Sequence, residues 1–143
     1  MCSAGRALSI WQPESGSEVC PDIAFTLEGQ SVRVCTEEDD AEFGCYVKSY
    51  PYNKLDLQKF GKLTVNLYNT VNLNAKLILE WKNGAIEIPL EKSADLYGGW
   101  HTFEAVLDGI PENADIKKMT FRFSHTDCRY HFVNLEKVRL WKK

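Results

Sequence analysis

The chain carries three histidines, His101, His125 and His131, and five cysteines at positions 2, 20, 35, 45 and 128. A serine or cysteine nucleophile needs a base beside it, and the sequence has neither a G-x-S-x-G elbow nor a motif that would activate a thiolate. No C-x-x-C, H-x-E or H-E-x-x-H spacing offers ligands to zinc. The glycines are scattered through turns, with Gly98-Gly99 the only adjacent pair, so there is no phosphate loop and no dinucleotide fingerprint. Two carboxylates can hydrolyse a glycosidic bond, and Glu80, Glu87 and Glu104 lie in strand-like stretches, but 20 acids leave any pairing open. The residues therefore point away from catalysis, and the domain is expected not to be an enzyme.

Aromatic side chains are the chemistry that remains. Six tyrosines and four tryptophans are a generous supply for a chain of 143 residues. A pyranose offers an apolar C–H face to a flat ring and hydroxyls around its edge to charged or amide groups, so rings on a rigid β face suit sugar. The candidate rings off the core parity or in loops are Tyr46, Tyr50, Tyr52, Tyr68 and Tyr130. Their candidate polar partners are Asn66, Glu80, Thr120 and Arg122. Trp81 has the parity of Leu77 and Leu79, which makes it a core or hairpin residue first and a ligand platform second. The alternation that sends Leu63, Val65 and Leu67 to the core turns Asn66 and Tyr68 the other way, and the site is expected on one polar face shared by Tyr68, Glu80 and Arg122.

The elements that must hold these residues read as strands. Leu63 to Asn69 alternates strictly, Thr102 to Leu107 and Lys118 to Ser124 alternate again, and His131 to Trp141 closes the chain. In that last run Val133 and Leu135 share one parity and Val138 and Leu140 the other, which predicts a bulge near Glu136-Lys137. Lys76 to Trp81 and Ala85 to Leu90 flank Lys82-Asn83-Gly84, where Asn-Gly is expected to supply a type I′ hairpin turn. Leu8 to Trp11, Ile23 to Leu27, Ser31 to Cys35 and Gly44 to Tyr50 are shorter segments of the same kind, for about nine strands. Leu55 to Phe60 could form one helical turn, and a second turn is expected at Glu112 to Asp115. Many short strands with no long helix between them predict an all-β, antiparallel two-sheet jelly-roll β-sandwich, with residues 1-143 as a single domain.

Composition agrees: 44% hydrophobic and 26% charged residues with a mean hydropathy of -0.33 describe a folded globular domain. Seventeen basic residues against 20 acidic ones leave a net charge of -3, so no general positive field exists to gather nucleic acid. The apolar runs fall far short of the ~20 residues that cross a bilayer as a helix, and no membrane partner is expected. Five cysteines cannot all pair within one molecule, and they leave the compartment open. Residues Met1 to Trp11 hold one charge, Arg6, and no apolar core of a signal peptide, so either the protein is cytosolic or a signal has been removed.

The order of segments resembles that of extracellular carbohydrate-binding modules of the galactose-binding-like β-sandwich type. Gly29 to Val34 resembles their G-x-S-h-x-h strand, and Leu55-Asp56-Leu57 with Phe60 to Tyr68 is similar to their D-L-x-x-(F/Y)-x-x-L-x-h-x-h-Y passage. Gly99 to Leu107 resembles their G-W-x-x-h-x-h-x-L strand. Ile116 to Phe123 and Phe132 to Leu140 resemble the closing I-x-x-I-x-h-x-F and F-x-h-D-x-V-x-L, with Glu136 where the pattern has Asp. The resemblance implies a non-catalytic module, part of a larger secreted enzyme or scaffold, that binds polysaccharide or oligosaccharide as a monomer outside the cell. In that family the closing acid often helps to hold a structural calcium, which here implies Glu136, together with acids of the loop Glu37 to Asp40 or backbone carbonyls. The main alternative is an adhesive β-sandwich with a protein partner. The implied carbohydrate site comprises Tyr68, Glu80, Arg122, Tyr46, Tyr50, Tyr52, Trp81, Asn66 and Tyr130.

Overall fold

The computed structural model describes residues 11–22, 26–27, 31–38, 41–49, 57–126 and 131–143. Among these are ten strands: β1 (Gln12–Pro13), β2 (Ser17–Pro21), β3 (Val32–Thr36), β4 (Phe43–Lys48), β5 (Phe60–Tyr68), β6 (Leu73–Trp81), β7 (Gly84–Asp95), β8 (Trp100–Val106), β9 (Ile116–His125) and β10 (Phe132–Lys142). They hydrogen-bond in the order β1-β4-β9-β6-β7-β8-β5-β10-β3-β2, every pair antiparallel.

The long strand β7 folds this ladder into two sheets. Its first half, from Gly84 to Leu90, pairs with β6, and its second half, from Glu91 to Asp95, pairs with β8. The first sheet is thus β1-β4-β9-β6-β7 and the second β7-β8-β5-β10-β3-β2. Between them lies one core, because each strand's apolar residues occupy every second position and face the same gap. The first sheet contributes Phe43, Cys45, Leu77, Leu79, Phe121 and Phe123, and the second Val34, Leu63, Val65, Leu67, Val133 and Leu135, all of them buried. Burying each large side chain contributes roughly 1.5–3 kcal/mol. An all-β sandwich with alternating strands is therefore what the sequence predicts and what the chain forms.

Several local expectations are also met. The phase change in β10 is a bulge: the register with β5 shifts between Glu136 and Arg139, and Lys137 takes a φ of 55°. The extra residue returns Val138 and Leu140 to the core side. Pro111 to Ala114 closes a turn through Ala114 N–H to Pro111 O.

Other expectations need correction. The β6–β7 hairpin has a two-residue loop, Lys82-Asn83, flanked by the pair Trp81 and Gly84, and none of Lys82, Asn83 and Gly84 has a positive φ, so it is not a type I′ turn. Gly84 serves another purpose: a Cβ there would meet the Trp81 ring at 3.0 Å. The missing side chain is what lets the indole lie across the hairpin. Strands β1 and β2 and the Glu91 to Asp95 half of β7 are absent from the sequence reading, since edge segments rich in Pro, Glu, Lys and Ser carry almost no alternating signal.

Candidate functional site

The pairing puts the predicted site residues on opposite sides of the sandwich. Tyr46, Glu80 and Arg122 point outward from the first sheet, on β4, β6 and β9. Asn66 and Tyr68 point outward from the second, on β5. Each parity was read correctly, but the shared face of Tyr68, Glu80 and Arg122 does not exist, because β5 and β6, joined in sequence, belong to different sheets. Trp81 faces inward with Leu77 and Leu79 and packs half-buried against the core, so it forms no part of either outer face. Tyr50, Tyr52 and Tyr130 lie outside the described residues.

The outer face of the second sheet is occupied by its own residues. Tyr68 lies between Trp100 (centroids 5.5 Å apart) and Phe132 (6.5 Å), and the Arg33 guanidinium covers Phe132 at 4.3 Å. Asn134 is fully buried, accepts from Arg33 Nε at 3.1 Å and donates to Asp22 Oδ2 at 2.9 Å and to Ser31 Oγ at 3.2 Å. Asn66 accepts from Thr102 Oγ1 at 2.9 Å, and Thr64 from Trp141 Nε1 at 2.8 Å. Outward-pointing Trp100, Asn66, Asn134 and Glu136 are all buried. Buried polar atoms matched to internal partners specify packing and leave little for a ligand to bond.

Glu136 belongs to this packing. Its carboxylate accepts from Leu27 N–H at 2.6 Å and from Thr26 Oγ1 at 2.5 Å. The expected partnership with the acidic loop is not formed by its described members. Leu135 pairs with Val32, whereas Glu37 and Glu38 follow the far end of β3. Five residues of strand separate Val32 from Glu37, roughly 16 Å. Among the described residues no group of three or more His, Cys, Asp or Glu is placed to hold a metal. The described donors, Thr26 Oγ1 and Leu27 N–H, both reach Glu136 Oε1 and satisfy that oxygen without a cation.

The first sheet presents a different surface, built as rungs of directly paired residues. One rung runs Tyr46, Thr120, Ile78, Glu87 across β4, β9, β6 and β7; the next runs Gly44, Arg122, Lys76, Pro89; and that on the other side of Tyr46 runs Lys48, Lys118, Glu80, Ala85. Neighbouring rungs are two residues, roughly 7 Å, apart. Thr120 and Ile78 form a buried floor, while Tyr46, Lys76, Glu80, Lys118 and Arg122 are partly exposed.

Arg122 is fixed by the loop after β1. Its Nε donates to Glu14 Oε1 at 2.9 Å and its Nη2 to Glu14 Oε2 at 2.7 Å, a two-pronged pair that raises the guanidinium's already high pKa through the Glu14 hydrogen bonds. Gly44 makes room for the pair. A Cβ at Gly44 would stand 2.3 Å from Phe121 O, which only a backbone shift could relieve, and 2.7 Å from Glu14 Oε1, which would push the carboxylate off Arg122. Lys76 bonds Glu42 at 3.1 Å and lies 3.8 Å from Glu87. Lys118 sets its ammonium over the Tyr46 ring at 4.3 Å. Glu14, Gly44, Lys48, Lys76, Ile78 and Lys118 are additions to the sequence reading. Strand parity could have found Lys76, Ile78 and Lys118, which alternate with core residues, but Glu14 reaches Arg122 over a sequence separation of 108.

A hydroxyl, an imidazole and a carboxylate do meet elsewhere: Thr70 Oγ1 lies 2.8 Å from His101 Nδ1, and Asp95 Oδ1 lies 3.2 Å from His101 Nε2. The Asp95 carboxylate is 74% exposed, so water competes for the ring it would have to orient. The trio ties the β5–β6 loop and the end of β7 to β8. No helix among the described residues is long and apolar enough to cross a membrane.

No family model and no curated protein sequence matches the chain. Solved structures do. The CBM22-2 xylan-binding domain of Paenibacillus barcinonensis Xyn10C is 14% identical, with a TM-score of 0.64 over 99% of this chain and 97% of that one. A family 11 carbohydrate-binding module of Clostridium thermocellum, in complex with a β-1,3-1,4-mixed-linked tetrasaccharide, is 18% identical at a TM-score of 0.54 over 92% and 87%. The CBM22-1–GH10 modules of the Clostridium thermocellum endo-1,4-β-D-xylanase 10B, complexed with xylohexaose, are 16% identical at 0.62 over 93% of this chain and 26% of that one. At these identities the likeness is one of fold: the chain has the β-sandwich architecture of carbohydrate-binding modules.

Proposed function

We propose that this domain is a non-catalytic carbohydrate-binding module whose glycan lies across the outer face of the first sheet, over Tyr46, Arg122 and Glu80. The observation that carries the reading is the contrast between the two outer faces. On the second sheet Asn66, Asn134 and Glu136 are buried and matched to internal partners; on the first Tyr46, Lys76, Glu80, Lys118 and Arg122 stand partly exposed and in register over the buried floor of Thr120 and Ile78, with Arg122 held by Glu14. A sheet so constrained can present a ring, a guanidinium and a carboxylate at constant spacing, which a sugar chain of regular repeat can match. Tyr46 offers a pyranose C–H face the part of its ring that the Lys118 ammonium leaves uncovered, Arg122 donates to hydroxyls with the N–H groups that Glu14 leaves open, and Glu80 accepts.

The shared architecture with xylan- and β-glucan-binding modules supports the reading. Binding through one ring and a few hydrogen bonds is weak, with dissociation constants from micromolar to millimolar, roughly -4 to -8 kcal/mol. Its use is to raise local concentration: the domain would be one part of a larger extracellular protein, keeping an attached glycan-degrading enzyme on its substrate.

Affinity electrophoresis through gels containing soluble xylan or mixed-linkage β-glucan tests this. The parent should be retarded, and Tyr46→Ala and Arg122→Ala should run as in a gel without polysaccharide. Tyr68→Ala, on the opposite sheet, should melt at a lower temperature yet be retarded like the parent. Loss of retardation in Tyr68→Ala alone would move the site to the second sheet, and a parent that no polysaccharide retards would end the reading.

A further inference from the structure

One corner of this face carries more positive charge than the described residues around it balance. Lys48 on β4 and Lys118 on β9 are directly paired across the two strands, both outward. Like charges placed directly opposite on neighbouring strands repel, and a sequence under no other demand avoids them. Elsewhere on the face each cation has its acid: Arg122 has Glu14, and Lys76 has Glu42 and Glu87. Among the described residues the one facing acid at this corner is Glu80, the next residue along the rung, 3.9 Å from Lys118. Lys48 is exposed and makes no ion pair among the described residues. Asp115, beyond the end of the rung, is already paired with Lys117.

Both ammonium groups gather on one tyrosine. Lys118 Nζ lies 4.3 Å and Lys48 Nζ 5.9 Å from the centroid of the Tyr46 ring. The ring's negative face steadies the two cations beside each other, and the phenol adds an O–H donor. Two ammonium groups held on one ring, with its hydroxyl at the tip, are the groups that would receive an oxyanion. A neutral sugar laid there would leave the lysine pair as it found it.

We infer that the glycan is anionic, bearing carboxylate or sulfate-ester groups, and that Lys48, Lys118 and Tyr46 receive one of them. This rests on the polysaccharide-binding reading and narrows it to a class of ligand. The domain's net charge of -3 gives polyanions no general attraction, so the attraction expected is local to this corner.

The test uses the full chain in titration calorimetry against four probes: polygalacturonate and alginate for carboxylate, dextran sulfate for sulfate ester, and unsubstituted mixed-linkage β-glucan as the neutral polymer. A uronate or sulfated polymer should bind at least about tenfold more tightly than the neutral one at low salt, and the advantage should shrink as ionic strength rises and the Debye length shortens. The better of the two anionic classes identifies the group. Lys48→Gln and Lys118→Gln should each weaken anionic binding about threefold or more and neutral binding by less, and Lys48→Gln, which has no ion pair to lose among the described residues, should keep the melting temperature at or above the parent's because the repulsion is relieved. Lys82→Gln, in the β6–β7 loop, should change nothing. Should Lys82→Gln weaken binding as much, the effect is diffuse charge and the inference fails. Equal affinity for neutral and anionic polymers, unmoved by Lys48→Gln and Lys118→Gln, also overturns it while leaving the glycan reading intact. Failure of all four probes to bind overturns the inference, and removes the glycan reading with it if xylan also fails to retard the parent.

Discussion

Removing Arg122 tests whether this face is pre-formed. The guanidinium and the Glu14 carboxylate are joined by two charge-assisted bonds of 2.9 and 2.7 Å, with side chains 30% and 17% exposed. Fully exposed ion pairs are worth about 0.2–1 kcal/mol, and breaking a fully buried one costs about 3–5 kcal/mol because a charge is stranded. This pair stands between these limits and nearer the exposed one on the Arg122 side. Arg122→Ala should therefore cost about 1–2 kcal/mol, much of it from leaving Glu14 partly buried without its fork, and lower the melting temperature by roughly 3–8 °C. Glu14→Ala should cost a similar amount. The double variant should be only slightly worse than either, giving a coupling of about 1 kcal/mol in urea denaturation. Additive losses, with a coupling below about 0.3 kcal/mol, would mean that the two side chains do not act as a clamp, and the argument that Glu14 presets the sugar-facing guanidinium would be lost.

Thiol chemistry should separate the three described cysteines: Cys20, exposed, should react first with iodoacetamide, and Cys35 more slowly, its thiol raised by burial and then by Glu18. Cys45, fully buried, should react only on unfolding, as read by peptide mass mapping. Burial, with Glu14 adding to it, pushes the folded Cys45 thiol far above its ordinary value of 9.0, so the unfolded chain ionises first. The stability linked to it is complete below about pH 9 and falls as pH rises further; Cys45→Ala should flatten that alkaline decline, and an unchanged decline would refute the linkage. The donor set around Glu136 predicts equal melting temperatures in excess chelator and in millimolar calcium; a rise of several degrees with calcium would show a structural site there.

Much of this molecule is local and therefore legible in the chain. Strict alternation in Leu63 to Tyr68 and in Lys118 to Ser124 sets which side chains face the core, because a strand has a period of two whatever it pairs with. The same arithmetic found the bulge at Glu136-Lys137 from a change of phase, and it turned Tyr46, Glu80 and Arg122 outward correctly. Parity says nothing about which sheet a strand joins. Tyr68 and Glu80 lie on consecutive strands, yet the ladder places β5 three strands from β6, and a site drawn on one face divides across two. Contacts between distant segments are equally silent in the sequence: Glu14 reaching Arg122, Lys48 opposing Lys118, Asn134 drawn into a network with Asp22 and Ser31. Each depends on the register of strands brought together by burial of a shared core, a free energy that belongs to the whole fold and to no single stretch of it. The sequence determined what each residue could contribute and which way it would point; only the tertiary structure decided which residues meet.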